Sequence, residues 1–167
     1  MQNRLARADV PVELTWNLDD LFASAAQWEA EIDALDAARA EVQPFQGRLG
    51  ESAATLRACL DTLEMLQQRL MRAGTFAHLL NAQDGTNPQY QAALARVDAL
   101  EARLEASIAF VDAEILQLAD GTVEQFIAQD SALAVHSVYL QDLLDTKPHR
   151  LSADAERVLA SLGEVLD

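Results

Sequence analysis

The residues of this 167-residue chain best suited to chemistry are three histidines, one cysteine and a single Gly-x-x-Gly. Metal binding would draw on His78, His136 and His149. A di-iron bundle needs Glu three residues ahead of a ligating His, and a zinc protease helix needs H-E-x-x-H. Here Thr75, Leu133 and Thr146 stand three residues ahead, and His78 and His136 are followed by Leu79 and Ser137. All three histidines therefore read as surface or hydrogen-bonded side chains, and no metal ligand is assigned. The Gly47-Arg48-Leu49-Gly50 run could clamp a nucleic-acid backbone only within a mixed α/β module, so it reads as a loop. Cys59 lies beside Leu56, Leu60 and Leu63 at helical spacing and reads as a buried structural thiol.

Nucleophilic catalysis finds no better footing. No serine sits in a G-x-S-x-G turn, and Ser24, Ser52 and Ser152 each stand where a helix would need a cap. Glu31, Glu64, Glu101 and Glu105 fall mostly on polar helix faces, with no sign of two carboxylates set apart by environment. Arg69 and Arg72 flank Leu70-Met71 and are predicted to pair with acidic residues of the third helix. A substrate carboxylate is their second candidate. The catalytic set is empty on this reading, and substrate-binding residues are unassigned.

Composition narrows the classes further. Acidic residues number 27 against 12 basic, a formal charge of −15. Such a surface repels phosphate backbones, and Lys147 is the only lysine, so nucleic acid is an unsuitable partner. With one cysteine there is no internal disulfide. The start, MQNRLARADVPVE, lacks the apolar core of a signal peptide, and no run approaches the ~20 apolar residues of a membrane span. The chain reads as cytoplasmic.

The elements that must carry these residues are helices. Apolar residues make up 50% of the chain but aromatics only 5%, with six glycines and four prolines as punctuation; that favours long helices over short strands. Ser24 with Gln27 forms a capping box ahead of Trp28, Ile32, Leu35, Ala38 and Val42, predicting a helix over Ala25 to Gln43 that Pro44 stops. Ser52 caps a second helix with Leu56, Leu60, Leu63, Leu66, Leu70, Ala73, Ala77 and Leu80. The run Asp84-Gly-Thr-Asn-Pro88 is a turn in which Asn87 caps and Pro88 takes the first helical position. A third helix follows from Pro88 towards Leu118, along Tyr90, Leu94, Val97, Leu100, Leu104, Ile108 and Val111. Thr122 with Gln125 predicts a capping box for a short helix at Phe126-Ile127. Asp130 caps another with Leu133, Val135, Leu140, Leu143 and Leu144, and Lys147-Pro148 ends it. Ser152 opens a last helix with Val158, Leu159, Leu162 and Leu166. The result is an all-α fold: a long antiparallel hairpin, an N-terminal helix and two or three shorter C-terminal helices.

Ahead of these helices stands DVPVELTWNLDDLFAS, Asp9 to Ser24. Together with Arg7 and Trp28-Glu29, it resembles the start of the oligoendopeptidase F family, zinc oligopeptidases of the thimet-oligopeptidase group. The resemblance continues at Phe45-x-Gly47-x-Leu49, at the Asp84–Asn87 turn with Gln91, at Ser107 to Leu116 (SIAFVDAEIL), and at Lys147 to Ala160 (KPHRLSADAERVLA). It implies the helical N-terminal wall of a peptide channel, with the zinc-binding H-E-x-x-H half several hundred residues downstream. No position here matches that half, so its metal and catalytic residues are not carried over.

The expectation is thus a non-catalytic, cytoplasmic piece of a zinc metallo-oligopeptidase that hydrolyses short peptides. An extended entry segment over 1–23 would precede a helical domain over 24–167, with Trp16 and Leu18 packed on the bundle. Zinc would belong to the parent and not to this piece. Its partners would be short peptides and the missing catalytic half, and exposed apolar surface would favour self-association. The rival reading is a freestanding helical interaction module.

Overall fold

Serine and asparagine side chains set the starts of the first three helices. The computed structural model describes residues 10–149, and there α1 runs Ala25–Ala38, α2 Ala53–Gln83 and α3 Pro88–Ile108. Ser24 Oγ accepts from Gln27 N at 3.2 Å, Ser52 Oγ from Thr55 N at 3.1 Å, and Asn87 Oδ1 from Gln89 N at 2.9 Å. Each thereby satisfies an N–H that has no partner inside its helix. The reciprocal bond of the first box is displaced by one residue: Gln27 Oε1 accepts from Ala23 N at 2.9 Å, ahead of the cap itself.

The 31 residues of α2 span roughly 46 Å and pack antiparallel to α3 across the Asp84–Asn87 turn. Leu56, Leu60, Leu63, Leu66, Ala73, Phe76 and Ala77 are buried along α2, facing Val97, Leu100 and Leu104 of α3. The helices meet closely at Gly74, where even a Cβ would lie 3.4 Å from Val97 Cγ1, in ordinary contact. α1 lies across the hairpin with Trp28, Ile32 and Leu35 buried. The Trp28 indole N–H donates to Ala73 O at 2.9 Å, and its ring stacks on Phe76.

Two predicted helices are subdivided. The first keeps α geometry only to Ala38, then winds as a 3-10 helix over Arg39–Phe45 with Pro44 inside it. A proline ring collides with the carbonyl four residues back in an α-helix, and the tighter winding moves Ala40 out of that position. The third breaks at Ala109 and resumes as α4, Phe110–Gln117. Ser107 Oγ bonds back to Arg103 O at 2.8 Å just before the break, the kind of side-chain bond that bends a helix.

Beyond α4, Gly121 at φ 84° starts α5, Thr122–Gln129. Thr122 is consequently the first helical residue and caps nothing, contrary to the predicted box. Asp130 Oδ1 accepts from Ala132 N at 3.0 Å to open a 3-10 stretch, Ser131–His136, which leads into α6, Ser137–Thr146. Val135 is 70% exposed and is no part of the core, because the 3-10 winding turns it away from Leu133. The helix predicted from Ser152, with Val158, Leu159, Leu162 and Leu166, lies outside the described residues, as do Arg7 and the greater part of the Lys147–Ala160 motif.

The entry segment holds two single 3-10 turns, Val12–Leu14 and Leu18–Asp20. Leu18 and Phe22 pack on the core. Trp16 does not: it is 65% exposed, against the expectation that it packs on the bundle. Phe22 takes that place, with its ring edge-on to Phe76 at 5.4 Å.

Candidate functional site

The Gly47–Gly50 loop is held by one side chain from far along the chain. Glu114 on α4 accepts from Gly47 N at 2.5 Å through Oε1 and from Leu49 N at 3.5 Å through Oε2. Gly47 at φ 79° turns its amide towards that carboxylate. A Cβ at Gly50 would lie 2.8 Å from Leu118 Cδ2, so a side chain there would push that methyl group aside. The backbone N–H groups that a phosphate clamp would use are thus occupied by a carboxylate. The loop is structural.

Cys59 is fully buried, and its thiol is pushed up to about 11 by burial first and then by the charge of Glu114. It is a core side chain. His78 is exposed on α2. His136 Nε2 lies 3.0 Å from Asp61 Oδ1, and Asp61 in turn pairs with Arg57 at 3.1 Å. Arg57 Nε also meets Asp130 at 2.7 Å, which holds the Asp130 carboxyl below its usual range and ties α2 to the segment before α6. Among the described residues no three His, Cys, Asp or Glu side chains come together as a metal set.

Arg69 and Arg72 have partners other than those expected. Arg69 Nε pairs with Glu31 on α1 at 2.7 Å, and Arg72 donates to Leu21 O while lying over the Phe22 ring. Neither reaches α3, because the face of α2 that carries them is covered by α1 and the entry segment. Of the carboxylates, Glu31 is committed to Arg69, Glu64 accepts from Gln68 at 2.9 Å, and Glu101 and Glu105 are exposed.

A concavity of about 490 Å³ lies where α2, α3 and α4 meet the start of α6. Leu60, Leu63, Ile108 and Val111 form its floor, and Glu64, Glu105, Asp112, His136 and Tyr139 its rim. The Tyr139 hydroxyl donates to Asp112 Oδ1 at 2.5 Å; burial, then this bond, raises its pKa above the usual tyrosine value. Sequence reasoning reached Glu64, Glu105 and Ile108 only as helix-face residues. The pairing of Asp112 with Tyr139 was invisible to it, since they are 27 residues apart and meet only through the packing of α4 on α6.

Comparison with known proteins decides what this helical unit resembles. The family model described as Oligopeptidase F matches residues 114–167. Oligopeptidase PepF of Bacillus subtilis (strain 168) is 31% identical over 160 residues, covering 96% of this chain and 24% of that protein. Group B oligopeptidase PepB of Streptococcus agalactiae is 28% identical over 95% of this chain and 26% of its own length. The crystal structure of oligoendopeptidase-F from Enterococcus faecium superposes with a TM-score of 0.70 at 27% identity, over 85% of this chain and 28% of that one. The chain is similar to the N-terminal region of oligoendopeptidase F. A Chlamydophila abortus structure at 21% identity shares the fold, with a TM-score of 0.83 over 96% of this chain. The chain spans about a quarter of the length of the oligoendopeptidase F relatives it matches. No helix among the described residues is long and apolar enough to cross a membrane.

Proposed function

We propose that this chain forms the non-catalytic wall of a substrate channel in a cytoplasmic zinc metallo-oligopeptidase that hydrolyses short peptides. An entry segment over 1–23 and a helical domain over 24–167 would make up that wall, and zinc would be held by sequence that this chain lacks. The described residues do not fit a zinc ion, since His136 is engaged with Asp61 and His78 stands apart from it on α2. One observation carries the reading: nearly the whole chain aligns with proteins named as oligopeptidases, yet fills only about a quarter of them. Exposed apolar side chains on the entry segment (Val12 82%, Leu14 74%, Trp16 65%) support it, as a surface suited to the remainder of such a protein.

The test is a chimera in which this chain replaces the aligned quarter of the Bacillus subtilis relative. Cleavage of a short fluorogenic peptide and zinc content are then measured beside the chain alone. The chimera is expected to bind zinc and cleave, and the chain alone to do neither. Peptide turnover by the pure chain with stoichiometric zinc would sink the proposal. So would a relative that works equally well with this region deleted.

A further inference from the structure

We propose that the concavity between α2, α3, α4 and α6 is a binding site for a basic side chain, lysine or arginine, carried by a peptide. The inference rests on the peptide-handling reading above and gives it a substrate class. Its first support is the floor. Leu60, Leu63, Ile108 and Val111 come from three helices and line a recess of about 490 Å³, within the ~300–1,000 Å³ range of ligand clefts. An apolar floor under a polar rim suits a side chain with a methylene stem and a charged head, since such residues bury the stem and keep the head at the edge.

The second support is charge left unanswered among the described residues. Glu64, Glu105 and Asp112 line the recess, and none is in an ion pair among the described residues. The polar partners the structure gives them are neutral, Gln68 for Glu64 and Tyr139 for Asp112. The arginines and the lysine of the described residues are engaged elsewhere. Arg39 and Arg103 meet Asp36, Arg48 meets Glu51, Arg57 meets Asp61 and Asp130, and Arg69 meets Glu31. Arg96 meets Asp33, Lys147 meets Asp120, and Arg72 is on Leu21 O. His136, the remaining basic group on the rim, faces Asp61. Among the described residues no cation answers this recess, and one carried by a peptide would complement it; hydrogen bonds between charged partners are the stronger kind.

The experiment is a titration of the isotope-labelled chain followed by amide chemical shifts. The probe is an N-acetylated, C-amidated Ala-Arg-Ala peptide, beside its citrulline counterpart, which has the same shape without charge. Saturable shifts are expected at Leu63, Glu64, Glu105, Asp112 and Tyr139, with the citrulline peptide at least tenfold weaker. Glu64→Gln with Glu105→Gln is expected to weaken the arginine peptide at least tenfold while the rest of the spectrum is unchanged. No saturation in the millimolar range, shifts confined to another surface, or equal binding of citrulline would each overturn the site. An unblocked Ala-Ala-Ala that binds as well as the arginine peptide would assign the recess to amino termini and overturn the basic side chain. These outcomes are separate from the chimera's: a chimera that cleaves neutral peptides while the arginine probe fails to bind would remove this inference alone.

Discussion

Cys59 shows how burial disarms a nucleophile. The thiolate would have to exist among Leu56, Leu60 and Leu63, where its charge is not solvated, so the thiol stays protonated up to about 11. Ellman's reagent is therefore expected to leave the folded chain unlabelled at neutral pH and to label it once urea unfolds it. The same shift makes a pH statement. Because the folded value lies above the ordinary 9.0, the thiol's contribution is complete below pH 9 and is lost as pH rises from 9 towards 11. Urea midpoints between pH 8 and 10.5 should fall more steeply for the wild type than for Cys59→Ala. Tyr139 also has a raised pKa and remains in both proteins; burial and the Asp112 bond are its main causes and the Cys59 charge the last, so most of its contribution cancels in the difference. Parallel profiles would contradict this. The thiol's neighbours were legible in the sequence because Leu56, Leu60 and Leu63 recur at helical spacing. The two tryptophans were not equally legible: Trp28 belongs to a periodic stripe that fixes its face, whereas Trp16 lies in an aperiodic segment that fixes none.

At the scale of elements, boundaries held wherever a local side chain makes them. Ser24, Ser52, Asn87 and Asp130 each cap as read. Partnerships over distance did not. The pairs Arg69 with Glu31 and Arg72 with Leu21 depend on which face of α2 receives α1, and that is decided by packing. Glu114 is the strongest case, since its partners are backbone amides with no side-chain signature. Glu114→Ala is expected to cost about 1–2 kcal/mol, as a charged hydrogen bond to the Gly47 amide is lost. Glu105→Ala, on α3 and without a hydrogen-bond or ion-pair partner among the described residues, should change stability by less than ~0.5 kcal/mol. Urea denaturation of both variants checks the contrast, and equal effects would show that the strap contributes nothing.

For the whole molecule, a charge of −15 and an apolar entry segment pull in opposite directions. Self-repulsion keeps copies apart at low ionic strength, and salt shortens its reach to about 10 Å at 0.1 M and about 3 Å at 1 M. Light scattering is therefore expected to show a larger mean mass as salt is added. Leu14→Ser with Trp16→Ser should restore a monomer. A strict monomer at every salt concentration would mean that Val12, Leu14 and Trp16 are too few to hold two copies together.

The Glu114 strap also has a consequence for the ribosome. Its carboxylate joins an amide made 67 residues earlier. At a synthesis rate of ~5–20 residues per second, the Gly47 amide waits roughly 3 to 13 seconds before its acceptor exists. Helices and hairpins form in microseconds. The connection between α1 and α2 therefore closes only after α4 has been made: until then it stays open to water, and to any chaperone or protease that reads loops.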